Sequence, residues 1–398
     1  MSSARHADVL VVGGGIQGAG VLQAAAAAGH TALLLEERDF AAGTSSRSSK
    51  LIHGGLRYLE SAQFSLVRES LAEREILLHT APHLVRLVPF LIPIYASTSR
   101  RPWQIRVGLS LYSALGGLQA DTRFETVRRD EWQDLDGLRT DGLQAVFRYW
   151  DGQTDDAALV RAVIASAREL GAEALRPAAF LAARRTDDGW CVRYRHKGAE
   201  HECTCRALVN AGGPWVDRVQ GLITPPPPSP EIELVAGTHV RVPGTVERGI
   251  YYTEAPRDRR AVFVMPWKGD TLVGTTEQPY AADPARIEPT EGEVEYLLET
   301  LAAYFPAHSR ERLDAWAGLR VLPRGQGRAF DRPRDVTLVC DDERRPQCVS
   351  IYGGKLTGYR STAAKVMQKL SHILPAAAPR ADTKTLVLPA AGGDGGAG

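Results

Sequence analysis

Residues 9–20 read Val-Leu-Val-Val-Gly-Gly-Gly-Ile-Gln-Gly-Ala-Gly, and Glu36 follows in the same stretch. A short apolar run halted by glycines predicts a buried parallel strand over residues 8–12. The alanine-rich segment closed by Gly29 predicts a helix over residues 16–29, and residues 31–35 predict a second strand. The turn of this βαβ unit carries Gly13-x-Gly15-x-x-Gly18. Gly13 permits the tight turn, Gly15 lets a pyrophosphate reach the backbone, and Gly18 lets helix and strand pack closely. The helix start at Ile16 offers free N–H groups and a positive dipole end to phosphates. Glu36 stands where a carboxylate accepts ribose hydroxyls. The expectation is an α/β fold that binds a dinucleotide.

Composition excludes several other classes. The chain has 398 residues, room for two domains, with 48 basic and 47 acidic side chains. That balance carries no polyelectrolyte signal for nucleic acid. Arginine outnumbers lysine 41 to seven, which reads as codon bias. In such a chain Lys50 and Lys355, both inside glycine-rich motifs, stand out. Five cysteines without a regular framework point to a reducing, cytoplasmic compartment. The Cys203-Thr-Cys205 pair lacks a second pair at zinc-like spacing, so no metal site is expected. No run reaches the roughly 18 apolar residues of a spanning helix, and no charged-then-apolar leader precedes the first strand. A protein not integral to a membrane is expected.

The stretch that follows Glu36 separates NAD from FAD. Residues 43–58 resemble the FAD-dependent, quinone-linked glycerol-3-phosphate dehydrogenases, within the D-amino-acid-oxidase-like flavoproteins. The matching text includes Thr44-Ser-Ser46, Ser48-Ser-Lys-Leu-Ile-His-Gly-Gly-Leu-Arg-Tyr-Leu-Glu60 and Ala81-Pro-His-Leu84. It continues in order through Asn210-Ala-Gly-Gly-Pro-Trp215, Gly237-Thr-His-Val240, Val264-Met-Pro-Trp267, Gly274-Thr-Thr276, Gly318-Leu-Arg320 and Gly353-Gly-Lys-Leu-Thr357. Members typically add a helical C-terminal domain, which this chain is expected to lack. It also reads Gly-Leu-Arg-Val-Leu and Lys-Leu-Thr-Gly-Tyr-Arg where members tend to have Gly-x-Arg-Pro-Leu and Lys-Leu-Thr-Thr-Tyr-Arg.

The resemblance implies noncovalent FAD and a small phosphorylated substrate. The reaction it implies is oxidation of sn-glycerol 3-phosphate to dihydroxyacetone phosphate, with electrons passed to quinone or another acceptor. The alternative is an FAD-dependent oxidase or dehydrogenase of another small anionic hydroxy or amino acid. A third reading, an FAD-bearing assembly subunit without chemistry of its own, is disfavoured by the joint presence of Arg57, His239, Arg320 and Lys355. Around the cofactor, Ser45, Ser46, Lys50, Leu51 and His53 suit one side of the flavin ring. Gly353, Gly354, Lys355, Leu356 and Thr357 suit the other, and Gly212 lies on the dinucleotide path. A strand-to-helix turn at Gly353 can aim N–H dipoles at the charge that builds on reduced flavin.

A dianionic phosphate calls for charge-assisted, bidentate contacts. The resemblance nominates Arg57, Arg320 and Arg334, with Tyr58 beside them. Oxidising a secondary alcohol also needs a base titrating near neutrality, and His239 is the candidate. Lys355 can stabilise the alkoxide. Asp155 and Asp156 read as an N-cap pair.

The predicted architecture is a Rossmann-like FAD-binding domain of glutathione-reductase or D-amino-acid-oxidase type, with an inserted antiparallel-sheet substrate domain. The FAD domain is expected to be discontinuous, over residues 1–82, 150–225 and 335–375. Residues 83–149 and 226–334 would build the substrate domain, and 376–398 a disordered tail. Residues 61–82 read as a helix, and 261–267 with 271–276 as a hairpin. Residues 103–115 read as an amphipathic helix beside Arg100, Arg101 and Arg106. It either faces a core with a solvated basic edge or lies peripherally on the inner face of the cytoplasmic membrane.

Overall fold

The computed structural model describes residues 5–118, 122–324 and 335–390. Two large sheets organise them. The first has nine strands. Its parallel centre runs, in spatial order, Cys348–Tyr352, Ala199–Asn210, Arg5–Val12, Ala32–Leu35 and Glu173–Leu175. All of Ala32–Leu35 is buried, as is the end of Arg5–Val12. Strands covered on both faces read as continuous apolar text.

The helices are α1 (Ile16–Ala27), α2 (Phe64–Thr80), α3 (Pro102–Leu115), α4 (Asp156–Glu169), α5 (Val216–Gln220), α6 (Glu291–Tyr304) and α7 (Tyr359–Leu370). α1 packs against both α4 and α7, and is buried nearly all round. That explains its alanine-rich, weakly amphipathic sequence.

Register fixes where the site opens. Val12 is level with Leu35 on one side and Asn210 on the other, and Asn210 is level with Ser350. The strands therefore end together, and Gly13, Glu36, Ala211 and Gly353 emerge on one side of the sheet. Open α/β sheets bind ligands outside these carboxyl ends.

The second sheet has ten strands and is mostly antiparallel. Val85–Tyr95 pairs along its length with Leu143–Thr154. Ile232–Val242 pairs with Asp270–Gly274 and with Asp314–Pro323. The expected hairpin is present, with Trp267 opposite Asp270. α6 covers this sheet through Val294, Leu297 and Leu301, which join Val240 and Val264 in one core. A capping box of Thr290 and Glu293 starts the helix.

α2 ties the two layers together. Glu73 pairs with Arg360 of α7, and the next residue, Arg74, pairs with Asp151 at 3.0 Å. Both pairs are buried, so removing either partner strands a charge.

Two sequence expectations need correction. The helix predicted from residue 61 begins at Phe64, because a 3₁₀ turn over Leu56–Leu59 comes first and Ala62 takes a positive φ. The tail expected to be disordered from residue 376 is ordered through residue 390. The Arg380 amide donates to the Ala27 carbonyl at 2.7 Å, the Leu388 amide to the Thr80 carbonyl at 2.7 Å, and Leu388 joins the first core. Its proline and alanine content concealed a few well-placed backbone bonds. Residues 391–398 lie outside the described residues.

Candidate active site

A single long cavity of about 480 Å³ starts at the glycine turn and ends between the sheets. At its entrance Gly13 has φ +109°. A Cβ there would collide with the Ala211 carbonyl, and one on Gly18 with the Gly13 carbonyl. At Gly15 an added Cβ would meet little but the Ser45 hydroxyl, so the backbone is open to a ligand. Ser45 Oγ accepts from the Ile16 amide at 3.0 Å, at the start of α1. Glu36 accepts from the Gly14 amide at 2.7 Å and the Arg38 amide at 2.8 Å. These bonds hold its carboxylate at the rim.

Two further segments line the cavity and touch each other. One contributes Ser48, Ser49, Leu51 and His53; the other runs from Gly353 to Thr357. The His53 amide donates to Thr357 Oγ1 at 3.2 Å, and Gln17 of α1 donates to the Lys355 carbonyl at 3.2 Å. Gly353 and Gly354 both take positive φ, at +75° and +96°. A Cβ on Gly354 would press on Gln17. Glycine is therefore required there for close approach. A diphosphate fits the first part, with its open glycine backbone and helix start. A flat, uncharged ring fits the narrow inner part between backbone turns. The residues present fit FAD in polarity, from the open glycine turn to the backbone turns at Gly353 and Gly354.

The cavity gathers three of the four predicted catalytic side chains and the predicted substrate-binding Tyr58. His239, Arg320, Tyr58 and Lys355 all line it. Lys355 Nζ lies 3.9 Å over the Tyr58 ring, and the Arg57 guanidinium 5.1 Å over the same ring. Arg57 does not itself line the cavity but is close enough to Arg320 to oppose its charge; burial, first, and then Arg57 and Arg260 lower the Arg320 pKa. Arg320 pairs with Glu277 at 3.2 Å, and Glu277 also pairs with Arg260 at 3.0 Å.

His239 is buried, with its ring stacked 6.0 Å from Trp316. Gly274 stands opposite it in register, where a Cβ would collide with the imidazole. The turn after Gly274 is anchored from α6: Thr276 donates to Glu293 at 2.6 Å and accepts from the Thr238 amide at 2.9 Å. Ser49 Oγ lies 3.0 Å from His239 Nε2. The expectation of a base titrating near neutrality is corrected here. Burial, and then the charges of Arg320 and Lys50, push the His239 pKa down to about 3. The ring is neutral at physiological pH.

Other expectations fare differently. Lys50 does not line the cavity. Its ammonium is buried on Asp156, at 2.8 and 2.9 Å, and on the Ser46 carbonyl at 2.6 Å. It also lies 5.4 Å from the Trp267 ring and 5.5 Å from the Trp316 ring. A cation this well satisfied is a strut beneath the cavity wall. Asp156 is correspondingly not a cap, while Asp155 caps α4 by accepting from the Ala158 amide at 3.0 Å. Ser46 and Gly18 also lie off the cavity surface, whereas Leu356 and Gly212 line it. Arg334 lies outside the described residues.

Sequence reading missed Ser49, Gln17 and Glu277. Ser49 sits inside the quoted Ser48–Glu60 string and Glu277 directly after Gly274-Thr-Thr276, so both were within reach of the motifs. Their partners, 190 and 43 residues away, were not.

Comparison with known proteins gives a consistent neighbourhood. Residues 8–360 match the family described as FAD dependent oxidoreductase. The chain is 40% identical over 380 residues to a glycerol-3-phosphate dehydrogenase of Pseudomonas aeruginosa, covering 91% of this chain and 71% of that one. It is 37% identical over 384 residues to a D-erythritol 1-phosphate dehydrogenase of Brucella abortus, covering 94% and 76%. Among solved structures, the FAD complex of glycerol-3-phosphate dehydrogenase from Bacillus halodurans superposes with a TM-score of 0.74 at 27% identity, covering 98% of this chain and 68% of that one.

Proposed function

Since the chain belongs to the FAD-dependent oxidoreductase family, we propose that it oxidises sn-glycerol 3-phosphate to dihydroxyacetone phosphate. One observation carries this reading. The cavity that begins at the dinucleotide turn ends at Tyr58, His239, Arg320 and Lys355, a cationic hollow with one neutral base. Bound FAD supplies the two-electron acceptor for the hydrogen on C2.

The chain's own residues do the rest. Arg320 holds the phosphate, Arg57 adds its charge from off the cavity surface, and Lys355 turns the substrate hydroxyl toward His239. Guanidinium forks suit a phosphate, and the compact ammonium suits a developing alkoxide. Glu277 keeps Arg320 aimed while the site is empty. A dianion beside Arg320 offsets one of the two charges that, after burial, hold the His239 pKa down.

The relative in Brucella abortus favours a second reading, a four-carbon polyol phosphate. It needs the same phosphate grip and the same base. A substrate panel with an artificial dye as acceptor separates the two. The first reading expects sn-glycerol 3-phosphate to give the highest kcat/KM. A clear preference for D-erythritol 1-phosphate would replace it, and preference for an unphosphorylated hydroxy or amino acid would reject both.

The acceptor side of the reading rests on α3. Trp103, Val107 and Leu111 follow one another a turn apart, and Trp103 is 66% and Val107 59% exposed. Arg101 and Arg106 lie beside them, and the helix contains no acidic residue. An exposed aromatic-bearing stripe with a basic edge suits an anionic lipid surface, where a quinone would be met. Among the described residues no helix is long and apolar enough to cross a membrane.

A further inference from the structure

The position of His239 poses a chemical problem. Its Nδ1 is sealed from solvent and has no hydrogen-bond partner among the described residues. The ring is held between Trp316 and the bare backbone of Gly274. The cavity therefore gives no access to Nδ1. The other nitrogen, Nε2, is covered by the Ser49 hydroxyl at 3.0 Å. Ser49 itself lines the cavity, as do Lys355 and Arg320. A base must lie within hydrogen-bond reach of the proton it takes, directly or through one intermediary.

We propose that Ser49 is a catalytic residue that relays the proton of the substrate's secondary hydroxyl to His239. This rests on the alcohol oxidation proposed above. The substrate hydroxyl donates to Ser49 Oγ, and the Ser49 hydroxyl donates to Nε2. The C2–H bond breaks with its electron pair passing to the flavin. The substrate O–H proton moves to Ser49, the Ser49 proton moves to Nε2, and the C–O bond becomes the carbonyl. The substrate has lost a hydride and a proton, His239 ends as imidazolium, and Ser49 is unchanged.

The surroundings suit such a relay. The charged groups that bear on His239 are Arg320 and Lys50, and each is paired, with Glu277 and Asp156 respectively. Asp156 also accepts from the Ser48 hydroxyl at 2.7 Å and the Ser48 amide at 3.1 Å, which fixes the backbone next to Ser49. No carboxylate bonds to the imidazole among the described contacts, so the serine hydroxyl is the group that can set its tautomer.

Two measurements on the FAD-loaded protein test this. The first needs no turnover: ¹⁵N NMR of histidine-labelled protein at pH 8, with His239 assigned from the H239Q variant. The relay requires Nε2 to be the unprotonated acceptor and Nδ1 to carry the hydrogen. A protonated Nε2 would overturn it, since Ser49 would then be the acceptor. The second is anaerobic flavin reduction by sn-glycerol 3-phosphate. S49A should slow it by about 10²-fold or more, the scale of lost general-base catalysis, with FAD content unchanged. S49T, which keeps the hydroxyl, should recover most of the rate. Reduction of S49A at the wild-type rate would overturn the relay alone. A wild-type flavin that no polyol phosphate reduces would overturn the proposed reaction and the relay with it.

Discussion

A histidine proposed to accept a proton has to start neutral, and burial beside two cations lowers the His239 pKa. The same feature leaves a mark on stability. Its folded pKa of about 3 lies below the 6.5 of an exposed imidazole, so between those values only the unfolded chain takes up the proton. This contribution is fully present above about pH 6.5 and is lost as pH falls toward 3, by up to about 1.4 kcal/mol per pH unit. The stability of the wild type relative to H239Q should therefore fall between pH 7 and pH 4 in urea unfolding. A difference that does not change with pH would mean that the folded protein takes up the His239 proton as readily as the unfolded chain. Arg320 yields a kinetic prediction. Replacing it with alanine should cut kcat/KM for sn-glycerol 3-phosphate by at least about 30-fold, equivalent to about 2 kcal/mol, mainly through KM. Unchanged KM would remove Arg320 from the phosphate site. Gly13, Gly18 and Gly354 were legible in the sequence because each satisfies a backbone requirement that only glycine meets. Lys50 was misread because nothing local announces Asp156, 106 residues later, as its partner.

At the scale of elements, the apolar periodicity of α3 was legible but its direction was not. Leu109 and Tyr112 face inward, where the Tyr112 hydroxyl donates to Asp151 at 2.6 Å and accepts from the Gly54 amide at 2.9 Å. Trp103 and Val107 face outward. A helix with apolar residues on both sides gives a pattern that one sequence cannot orient. If the outer stripe meets lipid, the protein should sediment with vesicles containing anionic lipid and lose that binding when Trp103 and Val107 are both replaced by glutamate. Turnover with a water-soluble dye should stay unchanged, because neither residue lines the cavity. Equal sedimentation of both proteins would reject the lipid reading. The strands of the first sheet were easier to read. Their buried runs and terminating glycines are local signals, and the ladder only had to align them. The ordered tail over residues 376–390 had no such signal, since its anchors are backbone groups on α1 and α2.

The whole molecule is an instrument for bringing separated segments to one place. Val12, Leu35, Asn210 and Tyr352 end strands on the same side of the first sheet, and the second sheet closes the space above them with His239 and Arg320. Thr44 and Arg47 stitch the two layers by donating to the Leu319 and Ala317 carbonyls at 2.7 and 3.1 Å. The order of these segments could be read from their motifs. Their convergence could not, because it depends on pairings between residues hundreds of positions apart. The central claim is that one cavity holds a flavin ring against a cationic pocket for a phosphorylated alcohol. Anaerobic titration of the FAD-loaded protein with sn-glycerol 3-phosphate, followed in the visible spectrum, tests it most directly. The account predicts that the yellow colour bleaches in proportion to substrate and that dihydroxyacetone phosphate appears. A spectrum that persists at saturating substrate, in protein that dithionite still bleaches, would contradict it.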